Sequence, residues 1–448
     1  MRYLGLIDAD RRSMLDAIGV DSIDALYHDV PEVAVLKTPL GLPGHTGEME
    51  VEQQIAKLVS TNRRAGAGAC FLGAGSYNHH VPASVDHLIQ RGEFLTSYTP
   101  YQPEILQGTL QYLFEFQTQI AMITGMGVAS ASHYDGATAC AEAVLMARPL
   151  TKRPGVILSG GVHPHYAATV STNVQYFESG LVTLPPADPR LEGDLAAQIN
   201  DRTACVVVQN PDVFGRLHDV EPIAGATHEA SALLVMVVTE PVSLGLVRAP
   251  GDMGPDIVAA EGQAIGNSLN FGGPCLGLFA TREKFMRQMP GRIAGEVRDA
   301  DGHRGWVLTL STREQHIRRE KATSNICTNS GLCAPAFTIH LALLGEDGYR
   351  RLAELNHAKE IELADGLAVL SGVDLINDSI FNEFTIRLTI NAAGIVETLA
   401  ADDIFAGVSA SRLFPGTSDS ANLLIVAATE RNNTDEIERY CHALRRVI

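Results

Sequence analysis

The stretch DIVAAEGQAIGNSLNFGGPCLG, at residues 256–277, joins a short apolar run to a loop rich in glycine. Its last seventeen residues contain five glycines and no lysine. A glycine-rich loop after a buried strand lets the backbone approach a ligand closely, and the phosphate-binding loop of this kind carries a lysine. The chain has six lysines, and none lies between Lys152 and Lys284. The missing lysine is therefore the feature of this loop that needs an explanation.

Apolar runs of four to six residues lie on both sides of this loop. They are VILS (156–159), CVVVQ (205–209), LLVMVV (233–238), IVAA (257–260), LGLFA (276–280) and WVLTL (306–310). Most are separated by helical or turn segments. This alternation predicts an α/β fold with a mostly parallel sheet between two layers of helices.

Helical patterns occupy the two ends of the chain. Asp10 is expected to cap a helix that ends at Gly19, and Thr46 to cap a second one. A longer helix is expected between Pro103 and Gly125. The C-terminal elements are helices near 333–344, 346–370 and 434–446 and the strand FTIRLTI. We predict a helical N-terminal segment, a large domain and a smaller C-terminal α+β domain, at residues 1–95, 96–329 and 330–448.

Composition narrows the class of protein. With 34 Lys and Arg against 52 Asp and Glu, the chain of 448 residues has a net charge of −18, which argues against nucleic acid and anionic membranes as partners. The run ALLVMVV (232–238) is too short to span a bilayer, and the N-terminus lacks the apolar stretch of a signal peptide. Seven cysteines without metal-binding spacing fit reduced thiols. These features predict a cytoplasmic protein.

Two nucleotide-binding motifs are excluded by their spacing. GAGACFLGAG (66–75) has Phe71 where the third glycine of a dinucleotide fingerprint belongs, and no Gly-Lys-Ser/Thr is present. A helix start at Asp135 offers the backbone N–H groups of Gly136, Ala137 and Thr138. It is interpreted either as an anion site or as a well-capped core helix.

Further candidate residues follow the predicted strands or precede helices. His163 and His165 come after VILS, at the ligand edge of the sheet, without the third ligand that a metal site needs. His79, His80 and His87 are interpreted as structural or surface residues. Two loops could face a small polar or anionic molecule: TSYTPYQPE (96–104) and RREKATSNICTN (318–329).

Several of these segments together resemble the glycine cleavage system P-protein family, and specifically its N-terminal half. The segments are FLGAGSYNHHVP, RGEFLTSYTPYQPEILQGTLQYLFEFQTQIAMITGM, YDGATACAEAVLMA, EGQAIGNSLNFGGPCLG and TREQHIRREKATSNICTN. The resemblance runs over nearly the whole chain in order.

The resemblance implies a pyridoxal-phosphate-dependent transferase fold of type I, with three αβα layers. It also implies an activity: decarboxylation of glycine and transfer of the aminomethyl group to the lipoyl H-protein. In such a pair the cofactor is bound covalently by the lysine-bearing partner, subunit 2, and the simplest assembly is α2β2. Aligning the loop with the family's lysine segment puts Gln263 and Ala264 where His-Lys stands. Alanine has no amine for a Schiff base, which would explain the missing lysine.

The resemblance also suggests the roles of other residues. Glu240 stands where the family pattern has an aspartate after LLVMVV. The residues expected to line the substrate site or the partner interface are Tyr98, Thr99, Tyr101, Gln102, His163, Arg319, Lys321, Thr323 and Asn325. Two alternatives remain: a self-sufficient enzyme that uses Lys284 or Lys321, and a scaffold subunit that contributes nothing to catalysis.

Overall fold

The computed structural model describes residues 5–38, 40–178, 180–186, 192–322, 324–326, 330–417 and 420–448. The chain divides into two units, residues 1–63 and residues 64–448.

The first unit consists of helices and turns. Its α-helices are α1 (Asp8–Ile18) and α2 (Glu48–Val59). The expectation that Asp10 is the N-cap of α1 is wrong: Ile7 is the N-cap, and the Asp10 carboxylate in the first turn accepts its N–H (3.0 Å). Gly19 ends the helix as expected, with φ of 83°. The expectation that Thr46 caps α2 is wrong. Gly47 is the N-cap, because the Glu50 carboxylate accepts its N–H (3.1 Å) and so satisfies the helix start.

Neither α1 nor α2 buries a residue, although both carry apolar side chains. The loop between them is similar, and Val33 in it is 95% exposed. The first unit therefore has an apolar surface without a core of its own.

The second unit contains the sheets. Its strands are β1 (Ala69–Cys70), β2 (Val128–Ala129), β3 (Gly155–Leu158), β4 (Leu181–Thr183), β5 (Thr203–Gln209), β6 (Leu233–Val238), β7 (Ile257–Glu261), β8 (Gly277–Thr281), β9 (Ile293–Arg298), β10 (Arg304–Thr309), β11 (Val373–Leu375), β12 (Glu383–Leu388), β13 (Ile404–Phe405), β14 (Val408–Ser409) and β15 (Leu423–Ala427). Its α-helices are α3 (Ala83–Ile89), α4 (Gly92–Leu95), α5 (Gln107–Thr124), α6 (Gly136–Thr151), α7 (Pro164–Val174), α8 (Glu192–Gln198), α9 (Glu221–Glu229), α10 (Gln315–Arg318), α11 (Cys333–Ala368), α12 (Ala392–Ala401), α13 (Ala410–Leu413) and α14 (Thr434–Arg445).

The central sheet has the order β2-β8-β7-β6-β5-β3-β4 in the described part of the chain. From β7 to β4 the neighbours are parallel, and β8 pairs antiparallel with both β7 and β2. One face of the sheet packs against α6 and α7, and the other against α5, α9 and α11. The predicted α/β fold, with its mostly parallel sheet between two helical layers, is confirmed.

The apolar run WVLTL does not belong to this sheet. It lies in β10, which pairs antiparallel with β9 as a separate hairpin. A turn between Asp299 and His303 folds β10 back along β9 (Asp299 N–H to His303 O, 3.0 Å). The strand is only half-buried, so its apolar content reflects packing of one face.

The C-terminal region agrees with the predicted α+β pattern. An antiparallel sheet with the order β11-β12-β15-β14 packs against α11, α12 and α14. The predicted separation of two helices is found within α11, where Gly345 has non-helical angles (φ 61°, ψ −173°). The domain boundaries at 95 and 329 remain predictions.

Across the described residues, no helix is both long and apolar enough to cross a bilayer.

Candidate active site at the carboxyl edge of the central sheet

The parallel strands bring polar residues together where they end. Gln209 and Glu261 are the last residues of β5 and β7, Thr239 and Glu240 follow β6, and His163 lies a short turn beyond β3. Neighbouring parallel strands end at the same edge of a sheet, where ligands bind in folds of this type. The residues are all buried, so each needs an internal partner or a ligand.

His163 is held in place by its neighbours. Its backbone N–H donates to Oε1 of Gln209 (2.8 Å), and its Nδ1 accepts the N–H of His165 (3.2 Å) at the start of α7. Burial, and to a smaller degree the nearby His165, lowers the pKa of His163 to about 4, which makes it a neutral ring at neutral pH. A β-carbon added at Gly75 would lie 3.7 Å from this ring. The ring therefore lies against the chain's own loop.

Glu240 lies at the centre of a buried network. One of its oxygens is 2.8 Å from Nε2 of His79 and accepts from Nδ2 of Asn382 (3.1 Å). The other accepts the N–H of Val242 (2.9 Å). Nδ1 of His79 lies 2.8 Å from the carboxylate of Glu430. Both oxygens of the Glu240 carboxylate therefore already have hydrogen-bond partners within this chain.

The titration of this network follows from its charges. Burial by itself lowers the pKa of His79, but the carboxylates of Glu240 and Glu430 outweigh it and raise that pKa to about 10. Burial by itself raises the pKa of Glu430. The hydrogen bond from His79 and its positive charge outweigh this effect and lower the pKa of Glu430 to about 2. His79 is therefore a protonated ring between two carboxylates. This fits the sequence interpretation of His79 as structural.

The start of α6 is filled by a side chain from β7. Oε2 of Glu261 accepts the N–H of Gly136, the first residue of α6, at 2.9 Å. Oε1 accepts the N–H groups of Gln263 (3.0 Å) and Leu276 (2.9 Å). Asp135 caps the same helix by accepting the N–H of Thr138 (2.7 Å). The expected cap is confirmed, but the N–H groups of Gly136 and Thr138 are not free for a ligand, because two carboxylates already accept them.

The backbone N–H groups of Gly136, Gln263 and Leu276 form an anion cradle, and the carboxyl group of Glu261 occupies it. Burial raises its pKa to about 7, against the effect of the three backbone N–H groups that favour the charged form. The carboxyl group at the end of β7 and the three N–H groups around it therefore form one buried hydrogen-bonded unit.

Replacing Glu261 with Gln is expected to lower the free energy of unfolding by roughly 1–3 kcal/mol. The amide has one acceptor oxygen for three N–H donors, and its NH2 group would face at least one of them. Denaturant unfolding of Glu261→Gln and of the exposed control Glu397→Gln measures the difference. Equal stability of both variants and the wild type would contradict the cradle.

Ala264 is 2% exposed and belongs to the apolar core beneath the loop. The preceding Gln263 donates from Nε2 to the carbonyl of Asn267 (2.6 Å) and so ties the loop to itself. Neither side chain offers an amine at this position.

The tyrosine–proline loop (TSYTPYQPE, 96–104) contains one buried and three exposed candidate residues. Tyr98, Tyr101 and Gln102 are exposed, whereas Thr99 is buried. Thr99 and Tyr101 both contact Arg292, which lies between β8 and β9. The structure therefore brings part of this loop onto a buried cation.

In the basic loop (RREKATSNICTN, 318–329), the described residues are exposed or half-buried. Arg319, Lys321 and Asn325 are exposed, and Thr323 lies outside the described residues. Within the described chain, the side chains of Arg319 and Lys321 make no hydrogen bond or ion pair, and so none with the tyrosine–proline loop. Among the described residues, neither of these two cations therefore joins the basic loop to the tyrosine–proline loop.

Two residues of this region were missed by sequence reasoning. Glu261 is an acid directly after an apolar run, which could have signalled a carboxylate at the ligand edge. Arg292 has no such signal, because its partner Thr99 is 193 positions away in sequence.

A possible metal-ligand group lies away from this edge. Among the described residues, Asp299, Asp301 and His303 have ligand atoms within 4.8 Å of one another and are exposed. The Asp299 carboxylate accepts the N–H groups of Asp301 (2.9 Å) and His303 (2.8 Å), which accounts for the turn without an ion.

The architecture is the type I fold of pyridoxal-phosphate-dependent transferases. A glutamate decarboxylase from Lactobacillus brevis superimposes with a TM-score of 0.69 at 13% identity, covering 94% of this chain and 95% of that one. At this identity the likeness shows the fold alone.

The particular family is shown by closer matches. The family model described as glycine cleavage system P-protein matches residues 1–443. Two relatives named probable glycine dehydrogenase (decarboxylating) subunit 1 are 59% identical (Parvibaculum lavamentivorans) and 60% identical (Rhodospirillum centenum), each over 100% of both chains. A crystal structure of glycine decarboxylase (P-protein) in inhibitor-bound form superimposes with a TM-score of 0.91 at 39% identity, covering 100% of both chains. The chain belongs to the glycine cleavage system P-protein family, and the family resemblance seen in the sequence is confirmed.

The residues at this edge do not fit a covalently bound pyridoxal phosphate. Ala264 occupies the position that the family resemblance assigns to the lysine. At the start of α6, the N–H of Gly136 is accepted by Glu261 and that of Thr138 by Asp135, and the carboxylate of Glu240 is engaged by His79 and Asn382. A Schiff base would therefore find no amine at Ala264, a phosphate would meet two carboxylates at the start of α6, and the carboxylate of Glu240, at the family's aspartate position, would already be engaged.

Proposed function

We propose that this chain is subunit 1 of a two-subunit glycine dehydrogenase (decarboxylating). Together with a lysine-bearing subunit 2, most simply as α2β2, it would decarboxylate glycine and pass the aminomethyl group to the lipoyl H-protein. The observation that carries the activity is the identity of 59–60% over the full length to relatives with the subunit 1 name.

We assign the covalent cofactor to the partner. The support is the composition of this chain's own edge, with Ala264 in the core and Glu261 in the anion cradle. When bound, pyridoxal phosphate supplies an electron sink for the bond that breaks. The chemistry of this chain lies in its own side chains, which bind and orient glycine and exclude water from the shared site.

The residues proposed for these roles are mostly at the surface. Tyr98 and Tyr101 are 76% and 64% exposed, which suits rings that become covered by a second subunit. With Thr99 and Gln102 they would line the glycine pocket. The basic loop is proposed to approach the partner through Arg319, Lys321, Thr323 and Asn325. His163 is proposed to be a vestige of the ring that folds of this type place over the cofactor.

Exposed apolar side chains in the first unit also support a partner. Residues 1–63 present α1 and α2 without a core, and an apolar surface of this kind is a signature of an interaction surface.

The self-sufficient alternative is not favoured by the position of Lys284. Its amine is exposed and lies 3.6 Å from the carboxylate of Asp256, in a short helix after β8. An exposed ammonium that is already paired with a carboxylate is poorly placed to form a Schiff base with a bound cofactor.

The proposal is tested by trapping the cofactor with borohydride. Subunit 1, subunit 2 and the mixture are incubated with pyridoxal phosphate, reduced and mapped by mass spectrometry, and CO2 release from carboxyl-labelled glycine is measured. We expect label on a lysine of subunit 2 only, and CO2 release from the mixture. Label on Lys284 or Lys321 would overturn the assignment to the partner, and a mixture without CO2 release would overturn the activity.

A further inference from the structure

Arg292 is a buried cation directly before β9. It is 6% exposed, and its carbonyl accepts the N–H of Ala131 (2.8 Å), which fixes its backbone against the segment after β2. Its guanidinium points towards the tyrosine–proline loop. Nη1 lies 3.4 Å from Oγ1 of Thr99, and Nη2 lies 3.4 Å from the hydroxyl of Tyr101.

The charge of this guanidinium is not compensated inside the described chain. No carboxylate of the described residues pairs with Arg292, and its buried Nε has no hydrogen-bond partner. The Tyr101 ring, 5.5 Å away from centroid to guanidinium carbon, contributes only a cation–π contact. A buried charge without a counterion costs several kcal/mol. In a chain with a net charge of −18, a buried arginine that lacks a carboxylate points to an anion from outside.

The two hydroxyl contacts would not compete strongly with such an anion. At 3.4 Å they exceed the usual 2.7–3.2 Å of N–H···O bonds and are correspondingly weak. A carboxylate forms two shorter, charge-assisted bonds with one guanidinium. Tyr101, which covers the cation, is itself mostly exposed, so movement of its ring would open the site from the surface where glycine is proposed to bind.

We propose that Arg292 binds the carboxylate of a small amino acid, with the hydroxyls of Thr99 and Tyr101 beside it. In the proposed function that amino acid is glycine, and the identity of the ligand rests on that function. Arg292 is then the residue that selects an amino acid over a simple amine.

The kinetic signature follows from the fate of the carboxylate. Its charge is discharged as CO2 leaves, so a bond from Arg292 is stronger with the substrate than in the transition state. Such ground-state binding lowers KM without raising kcat. Loss of the guanidinium should therefore raise the KM for glycine and should not lower kcat.

The experiment uses the complete chain, alone and in complex with subunit 2. Arg292→Gln, Arg292→Lys, Tyr101→Phe and the exposed control Arg287→Gln are compared with the wild type. Binding of ¹³C-labelled acetate, glycine and methylamine is followed by NMR line broadening, and KM and kcat are measured from CO2 release. Acetate carries only the carboxylate and methylamine only the amine.

We expect Arg292→Gln to weaken acetate and glycine binding about 10- to 100-fold and to leave methylamine unchanged. Arg292→Lys should be intermediate, because an ammonium binds a carboxylate without the two-pronged geometry. Arg287→Gln should match the wild type. If Arg292→Gln does not fold, Arg292→Lys and Tyr101→Phe carry the comparison by the same readouts.

Unchanged acetate binding in Arg292→Gln would overturn the proposal, as would equal losses of acetate and methylamine. A wild-type complex that binds acetate through Arg292 but releases no CO2 would refute the glycine activity and leave the carboxylate site standing. The two failures are therefore distinguishable.

Discussion

Replacement of Gly266 with alanine is expected to lower the free energy of unfolding by roughly 3–5 kcal/mol. Gly266 closes the EGQAIG segment with φ of 80°, a left-handed conformation. A β-carbon there would lie 2.3 Å from the carbonyl oxygen of Ala336 and 2.6 Å from its carbonyl carbon, both backbone atoms of α11. Neither the loop nor the helix can give way without losing core contacts.

The control for this prediction is Gly225→Ala. Gly225 is exposed in α9, and no atom lies within 4 Å of its added β-carbon. Alanine should stabilise that helix by roughly 0.5–1 kcal/mol. Urea unfolding of both variants gives the comparison. A Gly266→Ala protein as stable as the wild type would mean that the loop does not pack against α11 as described.

Replacement of His79 with leucine is expected to cost roughly 3–5 kcal/mol near pH 7. The change removes the protonated ring that lies 2.8 Å from the carboxylates of both Glu240 and Glu430. The carboxyl group of Glu240, at 1% exposure, would then lose the ring that pairs with it. The neighbouring His80 is exposed, so His80→Leu should stay within about 0.5 kcal/mol of the wild type.

The pH dependence of the wild type's unfolding free energy tests the same network of charges. The folded pKa of His79 is about 10, above the ordinary value of 6.5, so its contribution is complete below pH 6.5 and is lost as the pH rises through 10. The folded pKa of Glu430 is about 2, below the ordinary 4.5, so its contribution holds above pH 4.5 and is lost as the pH falls through 2. The gap in unfolding free energy between wild type and His79→Leu should be widest between about pH 4.5 and 6.5 and should narrow as the pH rises towards 10. A gap independent of pH between 6 and 10 would contradict the ion network.

Strand positions were predictable because buried parallel strands are continuous apolar runs. LLVMVV gave the bounds of β6 without error, and IVAA gave β7 to within one residue. That WVLTL lies outside the central sheet was not predictable in this way. A half-buried hairpin strand and a central strand have the same local composition, and only pairing with β9 separates them.

The site was predictable where a residue acts within its own segment. Asp135 was recognised as a cap because donor and acceptor lie three positions apart. Glu261 and Arg292 act across the fold, on Gly136 and Thr99, and no local pattern marks those pairs. The roles of Glu240 and His79 were hidden for the same reason, since 161 positions separate them.

The carboxylate of Glu261 has a consequence for how this chain could change over generations. A lysine introduced at Ala264 alone would place an amine in the apolar core, close to N–H groups that Glu261 already engages. A buried amine without a partner destabilises the fold, so this single change would not by itself create a cofactor site. Conversion of this chain into one that holds a cofactor would require changes at Ala264, Glu261 and Glu240 together.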